Sequence, residues 1–277
     1  MSNLLNSRKD DGSAGDVNYA EKVFLNYNVY RQPEPEISNL IHKAFGESKS
    51  ILNVGAGAGS YEPKQGENGY TITAVEPSAS MRELRPKEFS VAIDAFVENL
   101  PFNNNQFEAS MSTFSIHQWS NIEAGLKEMR RVTKNQVILL TCDPKLVQDF
   151  WLNEYAPGVL GAEAKRYPTI EKISEFLGGE IEVISIPLPL LCKDGFNEAY
   201  YGRPEMFLNP SARGSCSAWT FVDEPTRQSY LNHLKNDLES GEWDKKYSNL
   251  RTQSHYNGSL ILIISRPPPS QSQSLKN

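Results

Sequence analysis

Apolar residues recur along this chain in two alternating rhythms. Short unbroken apolar runs read as buried strands, and between them apolar residues return every three or four positions, as on the buried face of a helix. The segment from Glu34 carries Ile37, Leu40, Ile41, Ala44 and Phe45 at helical spacing and closes on Gly46. Residues 50–54 then read as a strand that runs straight into Gly55, and 70–75 as a second that ends on Glu76. A weaker third, 90–93, ends on Asp94, and 107–114 is the fourth. Ile122, Leu126, Met129 and Val132 mark a helix, followed through Lys134 and Asn135 by an apolar strand over 136–141. Leu146, Val147, Phe150 and Trp151 predict another helix, and Ile170, Ile173, Phe176 and Leu177 one that Gly178 and Gly179 terminate. Strands over 181–186 and 259–265 complete the pattern.

Strands that alternate with helices at this pitch predict a parallel sheet covered on both faces. The stretch 189–258 is too long for a turn between the last two strands. It holds an aromatic group (Phe196, Tyr200, Tyr201, Phe207) and a helical pattern at Tyr230, Leu231, Leu234 and Leu238. It is expected to cap the carboxyl edge of the sheet, where ligands bind in such folds. Residues 17–188 with 259–266 then form the main domain. The polar segment 1–16 and the tail 267–277, PPPSQSQSLKN, are expected to be disordered.

Composition changes this picture little. Apolar residues at 39% and charged residues at 22% suit a globular core. A net charge of −6 argues against a nucleic-acid partner. Cys142, Cys192 and Cys216 show no disulfide or zinc spacing, and His42, His233 and His255 pair with no other ligand, so no metal is expected. The N-terminus lacks an apolar signal core, and the longest strongly apolar run, 260–264, is too short to span a bilayer. The expectation is a cytoplasmic protein with no membrane partner, as a monomer or a homodimer.

The chemistry is concentrated in residues 51–60, ILNVGAGAGS. A buried strand delivers a glycine-rich turn that is expected to open a helix, with Gly55, Gly57 and Gly59 allowing close backbone approach to a ligand. Glu76, at the tip of the second strand, is placed to take both hydroxyls of a ribose. A dinucleotide fingerprint would need glycine where Ser60 stands, and no Lys-Ser or Lys-Thr follows to make a P-loop. The next motif is DAFVENLPF over residues 94–102. Residues 51–60, 71–78, 94–102, 107–119 and 126–144 together resemble the class I S-adenosylmethionine-dependent methyltransferases, most of all the small-molecule branch that includes ubiquinone/menaquinone-biosynthesis-type enzymes.

That resemblance implies a Rossmann-like, seven-stranded, mostly parallel sheet with the cap between its last two strands. It also implies S-adenosyl-L-methionine as cofactor. Gly55, Ala56, Gly57 and Gly59 would pass under its methionine and ribose, and Glu76, followed by Pro77 and Ser78, would bind the ribose diol. Asp94 would bond the adenine amino group, with Ala95 and Phe96 beside it. Met111 joins the cofactor set, as does Asn53, which stands where many members carry an acidic residue. Tyr27 and Arg31 belong to a segment that folds over the cofactor in that family. Pro63 and Gly66 make the helix after the loop shorter than is usual there.

Methyl transfer from a sulfonium is a direct displacement that needs alignment and exclusion of water more than it needs a base. His117, at the end of the fourth strand, is the candidate base, and a loop anchor is its alternative role. Candidate acceptor contacts are Tyr30, Trp119, Asp143, Tyr200, Arg203 and Trp219. Trp119 serves equally as packing, Asp143 as a helix cap before Pro144, and the cap aromatics as the cap's own core. The function expected is methyl transfer to a small molecule, on O, N or C. The alternatives are a non-methylating enzyme on the same cofactor, such as a cyclase or lyase, and a non-catalytic binding protein.

Overall fold

The computed structural model describes Val17 and residues 26–267. The segments expected to be disordered, 1–16 and the tail, lie outside the described residues except for Pro267. Strands β1 (Ser50–Val54), β2 (Thr71–Val75), β3 (Ala109–Thr113), β4 (Val137–Cys142), β5 (Glu180–Pro189) and β6 (His255–Arg266) form one sheet in the order β2-β1-β3-β4-β6-β5. The first four pair in parallel, while β6 runs antiparallel to both β4 and β5. Every residue of β4 is buried, as a central strand covered on both faces must be.

The helices are α1 (Tyr27–Tyr30), α2 (Pro35–Ala44), α3 (Ala79–Glu83), α4 (Ile122–Val132), α5 (Leu152–Tyr155), α6 (Pro157–Arg166), α7 (Ile170–Leu177), α8 (Pro210–Gly214), α9 (Glu224–Ser240) and α10 (Glu242–Tyr247). Their ends carry the expected chemistry. Asn121 caps α4 by accepting from Ala124 N, and Thr169 caps α7 by accepting from Lys172 N. Strand alternation divides the core. Ile138 and Leu140 join Ile37, Ile41 and Phe45 on one face, while Val137 and Leu139 join Leu126, Met129 and Ile173 on the other.

Three sequence expectations change. The third strand, expected over 90–93, is a single parallel bridge from Ile93 to Val75 at the edge of β2. Among the described residues it pairs with β2 alone, and Val91 is 92% exposed. The sheet therefore has six strands, with that bridge in the seventh position. The helix expected around Leu146–Trp151 is a 3₁₀ turn (Val147–Asp149) followed by α5, and Pro157 then starts α6, which the sequence pattern did not reveal. The glycine-rich turn opens no α-helix at all.

Between β5 and β6, α8 to α10 and several 3₁₀ turns pack as the cap. Trp151 meets Trp243 edge-on, ring centroids 5.3 Å apart, and Phe207 at 5.7 Å. These cap aromatics belong to the same buried cluster as Ile138 and Leu140, so cap and sheet share one core.

Candidate active site

The carboxyl ends of β1, β2 and β3 surround a cavity of about 870 Å³. β1 hands over to Gly55, where φ is +62°. A Cβ there would lie 1.9 Å from Ser115 Oγ, so only glycine fits both the dihedral and the space. Ala56 N donates to Val75 O, which joins the loop to the end of β2. Glu76 then accepts from Gly57 N and from Ser78 N, each at 2.8 Å. Burial raises the proton affinity of this carboxylate, and the two backbone bonds with nearby Arg82 and Arg85 oppose the rise.

Where a helix was expected after the loop, the chain turns instead. Pro63 cannot donate to a helical ladder, and Glu62 is drawn inward. Its buried carboxylate accepts from Arg85 Nη2 on both oxygens, at 2.8 and 2.9 Å, and from Asn53 Nδ2 at 2.9 Å. This buried pair holds the loop against α3 and the segment after it.

The opposite wall is Ala95, Phe96, Val97 and Glu98, with Trp119 beside them. Trp119 Nε1 donates to Ser115 Oγ at 3.0 Å. Tyr27 and Arg31 close the mouth. Arg31 pairs with Asp194, which is fully buried in the cap and also accepts from Tyr61 Oη at 2.8 Å. Its guanidinium lies over the ring of Phe114, 4.9 Å from the centroid. Phe114 itself has φ +50°, a left-handed conformation unusual for a bulky residue, at the point where β3 meets the cavity.

Tyr27, Arg31, Phe114 and Gln118 also line a second cavity of about 490 Å³. Beyond them it is bounded by His117, Glu163, Arg166, Tyr167, Phe196 and Asn197, with Cys216 and its neighbours from the cap. The His117 ring packs on Tyr167 at 4.8 Å, and its Nδ1 is buried with no hydrogen-bond partner among the described residues. Burial, with Arg166 and Arg31 nearby, holds the imidazole well below its usual pKa, so it is neutral at pH 7.

The sheet order and this site can be set beside known proteins. Residues 52–141 match the profile of the methyltransferase domain family. A protein of Anabaena variabilis described as a methyltransferase from an antibiotic biosynthesis pathway superposes with a TM-score of 0.79 at 27% identity, over 86% of this chain and 99% of that one. Residues 52–141 thus resemble a methyltransferase domain, and the fold around them is similar to that of the Anabaena protein. Malonyl-[acyl-carrier protein] O-methyltransferase of Erwinia pyrifoliae is 30% identical over 108 residues, 37% of this chain and 40% of that protein. An uncharacterised methyltransferase of Bacillus mycoides is 31% identical over 113 residues, 39% of this chain and 47% of that protein. The chain thus spans less than half the length of these curated relatives. The YcgJ protein of Bacillus subtilis shares the fold, at a TM-score of 0.51 and 16% identity over 84% of this chain and 98% of that one. The likeness is to class I methyltransferases of small-molecule and antibiotic-biosynthesis type; it does not single out the ubiquinone/menaquinone branch.

Of the cofactor residues expected from the sequence, Tyr27, Arg31, Gly55, Ala56, Gly57, Glu76, Pro77, Ser78, Ala95 and Phe96 all line the larger cavity. Trp119, expected on the acceptor, lines it as well, and His117 lines the smaller one. Four cofactor candidates lie off the cavity. Asn53 turns to Glu62. Met111 is fully buried in the core. Gly59, at φ +88°, packs against Phe89 and Arg85. Asp94 lies 3.6 Å from Arg82 with its side chain 43% exposed, because α3 brings that cation over the sheet edge.

Five acceptor candidates line neither cavity. Tyr30 Oη accepts from Asn209 Nδ2, and Asp143 accepts from Lys145 N as a turn cap. Tyr200 packs on Phe207, and Arg203 donates to the carbonyls of Cys192 and Ala199. Trp219 donates to Asn197. Sequence reasoning missed Glu163, Arg166 and Tyr167, because they sit on or just after α6, whose apolar pattern is weak. An acidic and a basic residue three apart beside buried Val159 and Leu160 were the one available signal.

No helix among the described residues is long and apolar enough to cross a membrane.

Proposed function

We propose that the protein transfers a methyl group from S-adenosylmethionine to a small molecule, with the cofactor in the larger cavity and the acceptor in the smaller. The carrying observation is the shared wall. Tyr27, Arg31, Phe114 and Gln118 line both cavities, so ligands in the two would meet there. The residues present fit the cofactor. The cradle at Gly55 is one that a Cβ would fill, and Glu76 presents a buried carboxylate where a ribose diol would lie. Ala95, Phe96 and Val97 give an apolar slot for a flat base.

When bound, S-adenosylmethionine supplies an electrophilic methyl group on a sulfonium. The chain supplies alignment and dryness. Phe114, fixed by its left-handed backbone and by the Arg31 guanidinium, stands where the two cavities meet and orients the approach of their ligands. Asp194 holds Arg31 in place, and the cap contributes Phe196 and Cys216 to the wall of the smaller cavity. The small volume and cap-lined walls of the second cavity favour a compact acceptor over a macromolecule, and the likeness to the Anabaena protein supports the same class.

Incubation with methyl-labelled S-adenosylmethionine and a fractionated metabolite extract tests this reading. Label should enter a low-molecular-weight product. Tight cofactor binding with no label in any small product, or label in protein or nucleic acid instead, contradicts it.

A further inference from the structure

The second cavity contains a carboxylate, Glu163. Glu163, on α6, is the one carboxylate among the described residues that line it. Its Oε2 accepts from Asn197 Nδ2 at 2.6 Å. Asn197 is 2% exposed, and its Oδ1 accepts from Trp219 Nε1 at 3.1 Å. An indole N–H can only donate, so the Asn197 amide has a single orientation: oxygen toward Trp219, NH₂ toward Glu163. Glu163 Oε2 is therefore held as an acceptor by Asn197, and Oε1, without that bond, is the oxygen better placed to take a proton. The cap residue Trp219, expected to touch the acceptor, instead aims this carboxylate from behind.

We propose that Glu163 is the catalytic residue that receives the acceptor's proton, and that the acceptor is a small phenol. This rests on the reading that the smaller cavity holds the acceptor. The other titratable groups lining that cavity are Tyr27, Arg31, His117, Arg166, Tyr167 and Cys216. The two tyrosines and Cys216 are pushed up by burial, Cys216 to about 12, and stay protonated. His117 holds a proton poorly, for the reasons given above. Glu163 is shifted the other way, with burial raising its proton affinity against the Asn197 bond and the charges of Arg166 and Arg31.

Two guanidiniums on the cavity wall oppose a protonated amine and favour an oxygen that gains negative charge as it reacts. Phe114, Phe196 and Tyr167 give the cavity an aromatic lining that suits an aromatic ring. A carboxylate is too weak a base for an aliphatic alcohol but suits the more acidic phenol. In the transfer the phenol O–H bond breaks to Glu163 Oε1, and the oxygen's electron pair forms the O–CH₃ bond. The C–S pair stays on sulfur. The charges of carboxylate and sulfonium cancel, leaving a neutral acid and a neutral thioether.

The first test needs no turnover. Carbon-13 NMR of glutamate-labelled protein, saturated with S-adenosylhomocysteine, should show a carboxyl that titrates above the ordinary glutamate range and vanishes in Glu163→Gln. Asn197→Ala should move it further upward, since the lost bond stabilised the anion. A Glu163 signal in the ordinary range, or one indifferent to Asn197, overturns the assignment.

The second test offers catechol, hydroquinone and 4-nitrophenol beside the matching anilines. Methylation of phenols, with turnover cut about 10²–10⁴-fold in Glu163→Gln at unchanged cofactor affinity, supports the proposal. Methylation of anilines only, of neither class, or of phenols at full rate in Glu163→Gln overturns it. Failure of the wild-type protein to bind S-adenosylmethionine would instead remove the underlying reading.

Discussion

The Glu76 carboxylate accepts the backbone N–H of Gly57 at 2.8 Å, across the floor of the larger cavity. One side chain at the end of β2 thus fixes the loop that follows β1, and it is the same side chain that a ribose would meet. Glu76→Ala removes both functions. The net loss of one charge-assisted bond, about 1.5–3 kcal/mol, should lower affinity for S-adenosylhomocysteine roughly ten- to a hundredfold. Glu76→Gln should lose less, because an amide oxygen can still accept from Gly57. Calorimetric titration of the folded variants checks this, and unchanged affinity in the alanine variant removes Glu76 from the site.

Gly55→Ala should damage the same loop by a steric route. The added Cβ meets Ser115 Oγ at 1.9 Å and Ser115 Cβ at 2.7 Å, and the backbone sits at φ +62°. Ser115 would be displaced and Trp119 Nε1 would lose its acceptor. A cofactor affinity at least about tenfold weaker is expected, with a stability loss on the order of 1–3 kcal/mol from the left-handed backbone. Ser115→Gly in the same chain should restore part of the affinity and none of the backbone cost. Full binding by the single variant would show that the loop is more pliant than its contacts imply.

Legibility in the sequence followed what each signal physically reports. β4 was readable because a strand buried on both faces is almost wholly apolar, β1 and β2 because short apolar stretches lead into Gly55 and Glu76, and α4 and α7 because their buried faces repeat at helical spacing. The glycines and Glu76 were readable because a close backbone approach and a carboxylate at a strand tip leave local marks. The missing helix after Gly59 was not, since it depends on Arg85 reaching Glu62 from another element. The pairing of Asp94 with Arg82 was hidden for a similar reason. Tyr200, Arg203 and Trp219 were read as acceptor contacts, yet an aromatic packed inside a cap and one that lines a pocket are alike in sequence. Glu163 became visible only once α6 faced Asn197 across a cavity.

Asp194 joins the cap to the N-terminal segment through Arg31 and Tyr61. Asp194→Asn leaves a buried guanidinium without its counter-charge, and such losses typically cost about 3–5 kcal/mol. Chemical denaturation should show a destabilisation of that order. Cofactor affinity should also fall in conditions where the protein stays folded, because Arg31 lines both cavities. A stability change well under 1 kcal/mol would mean that Arg31 finds another partner.

Glu198 gives the protein a pH dependence of stated sign. It is buried, both its oxygens accept from Ser259 N, and desolvation pushes its pKa from 4.5 to about 7. The folded state therefore binds this proton more tightly than the unfolded state does. The Glu198 contribution is most favourable below pH 4.5 and is lost as the pH rises through 7. The cost of the charged form above that range is on the order of 3 kcal/mol. Glu198→Gln, which keeps an acceptor for Ser259 N, should be more stable than wild type at pH 8 and should lose the advantage toward pH 4.5. Parallel denaturation curves with no pH-dependent difference would contradict this.

In the proposed function, S-adenosylmethionine sits in the cavity at the ends of β1, β2 and β3. A crystal structure of the protein grown with S-adenosylhomocysteine measures this placement directly. The ribose hydroxyls should lie within hydrogen-bond distance of Glu76, the adenine between Ala95 and Phe96 on one side and the glycine loop on the other, and the sulfur toward Phe114. Ligand density elsewhere, or a ribose turned away from Glu76, would contradict the account.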